Sequence, residues 1–128
     1  MTFRIFKDFT FAAAHFIPGH PGKCANLHGH NYRVRVHLAA EELDSLGMVV
    51  DFAWLKATLG ELTDRFDHKV LNEVAPFDRL PSSAERLAEH FFEAVAERLA
   101  ADDALSGRVR VDRVDLWEND TSCASYGP

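Results

Sequence analysis

The chain contains few cysteines, and none of its apolar segments is long. Its 128 residues include only Cys24 and Cys123, and in a chain without an export signal such cysteines are expected to be free thiols. The longest apolar stretches cover a few residues, so no segment is expected to span a bilayer. The N-terminal segment has no apolar core followed by small residues and does not resemble a signal peptide. We therefore expect a cytoplasmic protein.

Basic residues are also in the minority. The chain has 14 Lys and Arg against 20 Asp and Glu, a formal net charge of -6. A nucleic-acid surface draws on clustered basic residues, so this balance argues against one, although it is compatible with a small basic pocket for a phosphorylated ligand. The apolar fraction of 47% is ordinary for a globular protein. With no repeat or linker-like segment, residues 1–128 are expected to form one domain.

Alternating apolar and polar residues predict three strand regions. Residues 3–13 alternate roughly and are rich in Phe, and residues 30–39 alternate most clearly. We expect these two strands to pair. A last strand region is expected around residues 109–117.

Two stretches have the apolar period of an amphipathic helix. Asp51 suits the N-cap of a first helix, in which apolar residues recur at helical spacing as far as Phe66. A second helix with the same apolar spacing is expected over residues 83–100. Ser82 and Glu85 have capping-box spacing at the start of this second helix. The order predicts an α+β domain, with two helices packed on one face of an antiparallel sheet. Unpaired sheet edges make oligomerisation plausible.

Three histidines and one cysteine form the most informative pattern. His28 and His30 are two residues apart on a strand, so their side chains point to the same face. His15 ends the first strand and reaches the same place if the two strands are antiparallel neighbours. Three imidazoles suit a zinc ion and leave a fourth position open for water or substrate. Cys24 is either a fourth zinc ligand, a free base or a nucleophile, and the spacing does not choose among these roles.

The other polar candidates have an ordinary explanation beside a functional one. Asp67 and His68 could form an orienting carboxylate and a proton shuttle, although a helix C-terminus explains them equally well. Glu118 is either a solvated carboxylate or an acceptor for an amino-amide edge. We expect His20 to be a solvated loop residue and His37 a residue of the strand surface.

Several motifs resemble the 6-pyruvoyltetrahydropterin synthase superfamily in order and spacing. The three residues between Cys24 and His28 resemble its 6-carboxytetrahydropterin synthase branch, which makes a queuosine precursor. The resemblance extends from His15 to Tyr126 and rests on these motifs: His15, Cys24-x-x-x-His28-Gly-His30, Gly47-Met-Val-Val-Asp-Phe52, Phe66-Asp-His68, Ser83-Ala-Glu-Arg86 and Trp117-Glu118.

The resemblance implies a tunnelling fold that assembles as a homohexamer, a dimer of trimers, with active sites between subunits. It implies a zinc-dependent lyase that converts 7,8-dihydroneopterin triphosphate to 6-carboxy-5,6,7,8-tetrahydropterin. The zinc ligands would then be His15, His28 and His30. Cys24 would abstract a proton from the substrate side chain, with a relay through Asp67 and His68, and Glu118 would bind the pterin. Lys23, Arg33 and Arg35 are candidates for the triphosphate.

Three positions depart from the family pattern. Arg86 stands where an asparagine is common, and Asn119 and Cys123 replace a threonine and a tryptophan that relatives often show. We expect Cys123 to be a packed small residue. Other activities are compatible with the same residues: 6-pyruvoyl formation, side-chain cleavage of dihydroneopterin, a non-catalytic zinc or pterin-binding protein, and a zinc hydrolase that would tolerate loss of Cys24.

Overall fold

Two long antiparallel strands form the centre of a five-stranded sheet. A computed structural model describes all 128 residues. The strands are ordered β3-β1-β2-β4-β5, with β3 parallel to β1 and every other neighbouring pair antiparallel. The elements are β1 (Phe3–His15), β2 (His28–Ala40), α1 (Phe52–Asp64), β3 (Lys69–Val70), α2 (Ala84–Ala101), β4 (Arg110–Asn119) and β5 (Ser122–Tyr126).

The predicted α+β class and the pairing of the first two strands are confirmed, but two strands were not predicted. β3 contributes only two residues, and its parallel pairing makes the sheet mixed rather than wholly antiparallel. β5 follows β4 through a tight turn and forms the outer edge of the sheet. The ring of Tyr126 on β5 lies 5.2 Å from that of Phe92 on α2, which attaches this strand to a helix.

Both helices begin at capping side chains. Asp51 accepts a hydrogen bond of 2.8 Å from the amide of Ala53, as the sequence predicts. At the start of α2 the cap is Ser83, which accepts from the amide of Arg86. The predicted capping box from Ser82 is therefore wrong, because Ser82 is buried and contacts another part of the chain.

The helices cover one face of the sheet and enclose an aromatic core. The ring of Phe11 on β1 stacks on that of Tyr32 on β2 at 4.9 Å, and Phe66 and Phe91 pack against the same ring. All four aromatic residues are buried. The ring of Tyr32 lies between this core and the candidate site, since it stacks on Phe11 on one side and is 5.3 Å from the ring of His30 on the other.

The opposite face of the sheet is polar and carries a hydrogen-bonded network around Asp115. Its carboxylate accepts from Ser125 at 2.6 Å and lies 2.7 Å from the Nε2 of His37 and 2.9 Å from the Nε of Arg113. Burial raises the pKa of Asp115, but these hydrogen bonds outweigh it and hold the pKa below its usual range. His37 is thus part of this network on the strand surface where the sequence placed it.

No helix of the chain has the length and apolar character needed to cross a membrane.

Candidate metal centre and catalytic cavity

The three predicted ligand histidines lie together at one end of β1 and β2. His15 is directly opposite His28 in the antiparallel register, and His30 follows two residues later on the same face. Their ring centroids are 4.6 to 5.2 Å apart, and one ligand nitrogen from each lies within 4.8 Å of the other two. The expectation that pairing of the first two strands brings His15 to the other histidines is confirmed.

Carbonyl groups fix the tautomers of two of these rings. The Nδ1 of His15 is 2.9 Å from the carbonyl oxygen of Ser82, and the Nδ1 of His28 is 2.7 Å from that of Asn26. Because a carbonyl only accepts hydrogen bonds, each Nδ1 carries the hydrogen and each Nε2 keeps its lone pair. This arrangement, with the outer nitrogen bound to a carbonyl, is the one that orients histidines toward a metal ion.

Two of the metal-facing nitrogens have no partner within the protein. The Nε2 atoms of His15 and His30 are buried and make no hydrogen bond. A buried polar atom without a partner is costly, and a metal ion would remove that cost. The residues therefore fit a divalent metal that accepts imidazole ligands.

The surroundings keep these imidazoles in the neutral form that binds metal. Burial lowers the pKa of His15 to about 4, against the opposing effect of its hydrogen bond to Ser82. Burial also lowers the pKa of His30, while the Glu118 carboxylate, 4.0 Å from its Nε2, raises it. Near neutral pH, both rings are available as ligands.

The histidines open into a cavity that also contains the predicted catalytic thiol. The cavity measures about 320 Å³, and Cys24 and Glu118 both line it. The sulfur of Cys24 is not among the clustered ligand atoms, and the residue is exposed. The geometry therefore favours Cys24 as a free thiol beside the metal centre over a fourth ligand. The remaining lining residues are Ile17, His20, Ser83, Ala84, Glu85, Ser122, Cys123 and Ala124.

No lysine or arginine lines this cavity. Arg33 and Arg35 occupy odd positions of β2, so they point to the face opposite the histidines. Arg35 makes two hydrogen bonds with Asp8, at 2.7 and 2.9 Å, and the guanidinium of Arg33 lies 4.1 Å above the ring of Trp117. Neither arginine therefore reaches the cavity of its own chain, and their candidacy as triphosphate ligands stays a prediction for a site completed by another chain.

Asp67 and His68 form a hydrogen-bonded pair outside this cavity. Asp67 accepts from the amide of Ala12 at 2.9 Å and lies 3.0 Å from the Nδ1 of His68. The hydrogen bond from Ala12, and then the one from His68, hold the pKa of Asp67 below its usual range. α1 ends at Asp64, and the amide of Asp67 still donates to the carbonyl of Thr63 at 3.0 Å, so the pair directly follows the helix C-terminus, where a left-handed residue such as His68 (φ 58°) is usual.

The imidazole of His68 is 82% exposed. It lines a separate groove at the edge of the sheet, beside residues 12–14 and 29–31. The pair is thus attached to β1 through Asp67, while the imidazole of His68 is largely exposed.

Two residues of the cavity, His20 and Cys123, and one residue behind it, Ser82, were missed or misassigned from the sequence. His20 is exposed as expected but lines the cavity, and Ser82 holds a metal ligand although its sequence position suggested only a cap. Cys123 was expected to be packed and is instead exposed on the edge strand β5. The departures at Arg86 and Asn119 have local explanations. Arg86 forms an ion pair on α2, and Asn119 accepts two hydrogen bonds in the turn between β4 and β5.

The fold and the site together define an α+β protein whose metal centre is built on a pair of antiparallel strands. Residues 4–128 match the family described as 6-pyruvoyl tetrahydropterin synthase. The chain belongs to this family. In structure it is similar to the 6-pyruvoyl tetrahydropterin synthase of Caenorhabditis elegans, with a TM-score of 0.84 and 26% identity over 100% of this chain and 96% of that one. The arrangement of sheet and helices is the tunnelling fold of these proteins.

Curated proteins with similar sequences are named 6-carboxy-5,6,7,8-tetrahydropterin synthases. A 6-carboxy-5,6,7,8-tetrahydropterin synthase of Synechocystis sp. is 38% identical over 127 residues, which cover 95% of this chain and 91% of the relative. A protein of the same name from Bacillus subtilis is 33% identical over 133 residues, covering 99% and 86%. These similarities support a pterin synthase activity.

Proposed function

We propose that this protein is a zinc-dependent lyase acting on 7,8-dihydroneopterin triphosphate. With one water molecule, this substrate would yield 6-carboxy-5,6,7,8-tetrahydropterin, acetaldehyde and triphosphate. The observation that carries the proposal is one cavity that joins three clustered histidines, the free thiol of Cys24 and the carboxylate of Glu118. The names of the full-length relatives in Synechocystis and Bacillus support the same product.

His15, His28 and His30 would hold the zinc ion. Three imidazoles are a usual ligand set for catalytic zinc, and they leave a position open for an oxygen of the substrate. When bound, zinc would polarise a hydroxyl group of the substrate side chain and make its neighbouring C–H bond more acidic. The carbonyls of Ser82 and Asn26 would keep two of the ligands in the correct tautomer.

Cys24 would remove a proton from the substrate side chain. The thiolate is the reactive form of cysteine, and a nearby cation favours it. Glu118 would bind the pterin ring, because its two oxygens match the amino and ring N–H donors of a 2-amino-4-oxo pyrimidine. Its position 4.0 Å from the Nε2 of His30 would bring the bound ring beside the metal.

Asp67 and His68 would relay protons in the cavity of a neighbouring copy of the chain. His68 is exposed and does not line the cavity of its own chain, so it suits a site completed by a partner. Asp67, held by the amide of Ala12, would orient the imidazole. This shared site is one reason to propose a homohexamer, a dimer of trimers, of single-domain chains. We further propose a cytoplasmic role in the synthesis of a queuosine precursor.

Product analysis tests the proposed reaction. Zinc-loaded protein and its Cys24→Ala variant would be incubated with 7,8-dihydroneopterin triphosphate, and the products identified by mass spectrometry. We expect 6-carboxytetrahydropterin and acetaldehyde from the wild type, and a loss of about 100-fold or more in the variant with zinc content unchanged. A 6-pyruvoyl product, or side-chain cleavage of dihydroneopterin, would assign the site to a different family activity. Hydrolysis products formed equally by the wild type and Cys24→Ala would favour a zinc hydrolase, and zinc binding without turnover would favour a binding protein.

A further inference from the structure

The loop between β1 and β2 is closed by hydrogen bonds that fix His20 at the cavity. The amide of Ile17 donates to the carbonyl of Cys24 at 2.7 Å, and the amide of His20 donates to the carbonyl of Ile17 at 3.2 Å. The amide of Gly22 donates to the Nδ1 of the His20 ring at 2.9 Å. The backbone and the ring are therefore both held, although the residue is exposed.

The contact with Gly22 also determines which nitrogen of His20 carries a hydrogen. Because Nδ1 accepts from an amide, the hydrogen of the neutral ring is on Nε2, where it is free to donate. No protein group accepts a hydrogen bond from this Nε2. A Cβ at position 22 would lie 3.2 Å from the Cε1 of His20, so a larger residue there would displace the ring by a few tenths of an ångström.

The other side chains of the cavity offer an anion few donors, apart from serine hydroxyls and the first amides of α2. The cavity contains no lysine or arginine, and Glu85 and Glu118 contribute negative charge. Outside the three metal-facing histidines, His20 is its one side chain with a nitrogen donor. A phosphate group at the mouth of this cavity in its own chain therefore has His20 as its side-chain nitrogen donor.

The buried and exposed ends of the cavity indicate where each part of the substrate would lie. His15 is only 2% exposed and marks the inner end, near Glu118 and the expected pterin ring, while His20 is exposed and marks the mouth. In dihydroneopterin triphosphate the phosphates are attached to the carbon farthest from the ring. A substrate with its ring held by Glu118 and its hydroxyls at the metal would extend its phosphates toward the mouth.

We propose that His20 binds the triphosphate group of the substrate by donating a hydrogen bond from Nε2. This role rests on the proposed function for the identity of the ligand, but its geometric basis is the fixed loop and the lack of any lysine, arginine or other side-chain nitrogen donor in the cavity outside the metal-facing histidines. His20 would set the affinity for phosphorylated over unphosphorylated pterins and would take no part in the proton transfers.

Two substitutions separate this role from that of the loop contact. His20→Asn keeps an acceptor near the position of Nδ1, and so keeps the bond from Gly22, but lacks a donor at the position of Nε2. His20→Gln extends an amide donor to about the Nε2 position. With zinc-loaded protein, we expect His20→Asn to raise the KM for dihydroneopterin triphosphate about tenfold, with kcat changed much less. His20→Gln is expected to recover most of the loss.

Inorganic triphosphate and unphosphorylated dihydroneopterin serve as separate binding probes by calorimetry. His20→Asn should weaken binding of inorganic triphosphate about tenfold and leave that of dihydroneopterin unchanged. Lys23→Ala is the matched comparison, since Lys23, the triphosphate candidate that the sequence offered on the same loop, does not line the cavity. It should change neither binding constant by more than about twofold at physiological salt.

The outcomes separate the phosphate site from the proposed reaction. Unchanged KM and triphosphate binding in His20→Asn, with normal turnover, would overturn the phosphate site alone. An equal loss in Lys23→Ala would also overturn it, because the loop would then act only through its general charge. If wild type binds triphosphate through His20 but leaves the pterin substrate unchanged, the phosphate site stands and the proposed reaction fails.

Discussion

Zinc binding at the three histidines should raise the thermal stability of the protein by an amount that can be worked out. Because the ion binds the folded chain, zinc at 100 times its dissociation constant stabilises by about 2.7 kcal/mol. The entropy of unfolding, about 2.1 cal/mol/K per residue, gives about 0.27 kcal/mol/K for 128 residues. The expected rise in Tm is therefore about 10 °C.

Differential scanning calorimetry with zinc or with a chelator measures this increment. His15→Ala removes one ligand and the buried nitrogen that lacks a partner, so its zinc increment should fall to about 2 °C or less. The comparison uses the difference between the two conditions, so any loss of baseline stability in the variant cancels.

His37→Asn is the matched control for this measurement. His37 is on β2 like two of the ligands, but it faces the opposite side of the sheet and binds Asp115. Its variant should keep the full zinc increment. An increment in His15→Ala equal to that of the wild type would refute the assignment of the metal site, as would its loss in His37→Asn.

Three further predictions concern the polar network, the shared site and a helix cap. Asp115→Asn should lower the free energy of unfolding at pH 7 by about 1.5–3 kcal/mol. The pKa of Asp115 is lower in the folded chain than in the unfolded chain, so its carboxylate stabilises the fold above the usual carboxyl range. This stabilisation is lost as the pH falls through the folded pKa. The difference in unfolding free energy between wild type and variant, measured with urea, should therefore be smaller near pH 3 than at pH 7. Cys24→Ala and His68→Ala should each be inactive alone and regain activity when dissociated subunits are mixed, as a product assay would show. Ser83→Ala should cost about 1 kcal/mol in urea unfolding, because α2 loses its N-cap.

Each of these has a contrary result. An Asp115→Asn effect of equal size at pH 7 and pH 3 would mean that its charge is not what stabilises the sheet. Mixed Cys24→Ala and His68→Ala subunits that stay inactive, although they form mixed assemblies by native mass spectrometry, would show that the two residues do not share a site. Undiminished stability in Ser83→Ala would remove the assigned cap.

Much of the metal site followed from local sequence patterns. The alternation in residues 30–39 is clear because alternate residues of β2 from Tyr32 onward are buried. The alternation in residues 3–13 is only rough, because β1 has buried residues only near its end, at Phe11, Ala13 and His15. When β1 and β2 are known to be antiparallel neighbours, the register of their pairing is the one feature left to determine. In the structure this register places His15 opposite His28. Asp51 could be recognised as a cap because the hydrogen bond it accepts lies within the same short segment.

The missed features depend on contacts between distant parts of the chain. β5 is made of Ser, Cys, Ala, Ser and Tyr, which carry no clear alternation, and it is held by backbone pairing to β4. The place of His20 depends on the hydrogen bond that closes the loop between Ile17 and Cys24. Ser82 reaches His15 across 67 positions of sequence, and no local pattern predicts such a contact.

Zinc reconstitution tests the central claim, that the three-histidine centre supports the pterin chemistry, most directly. Metal-free protein would be titrated with zinc, and the formation of 6-carboxytetrahydropterin from dihydroneopterin triphosphate followed at each step. Activity should rise in proportion to bound zinc and stop at one ion per chain, and His15→Ala should stay inactive throughout. Full activity in the metal-free protein, or in His15→Ala, would contradict the account.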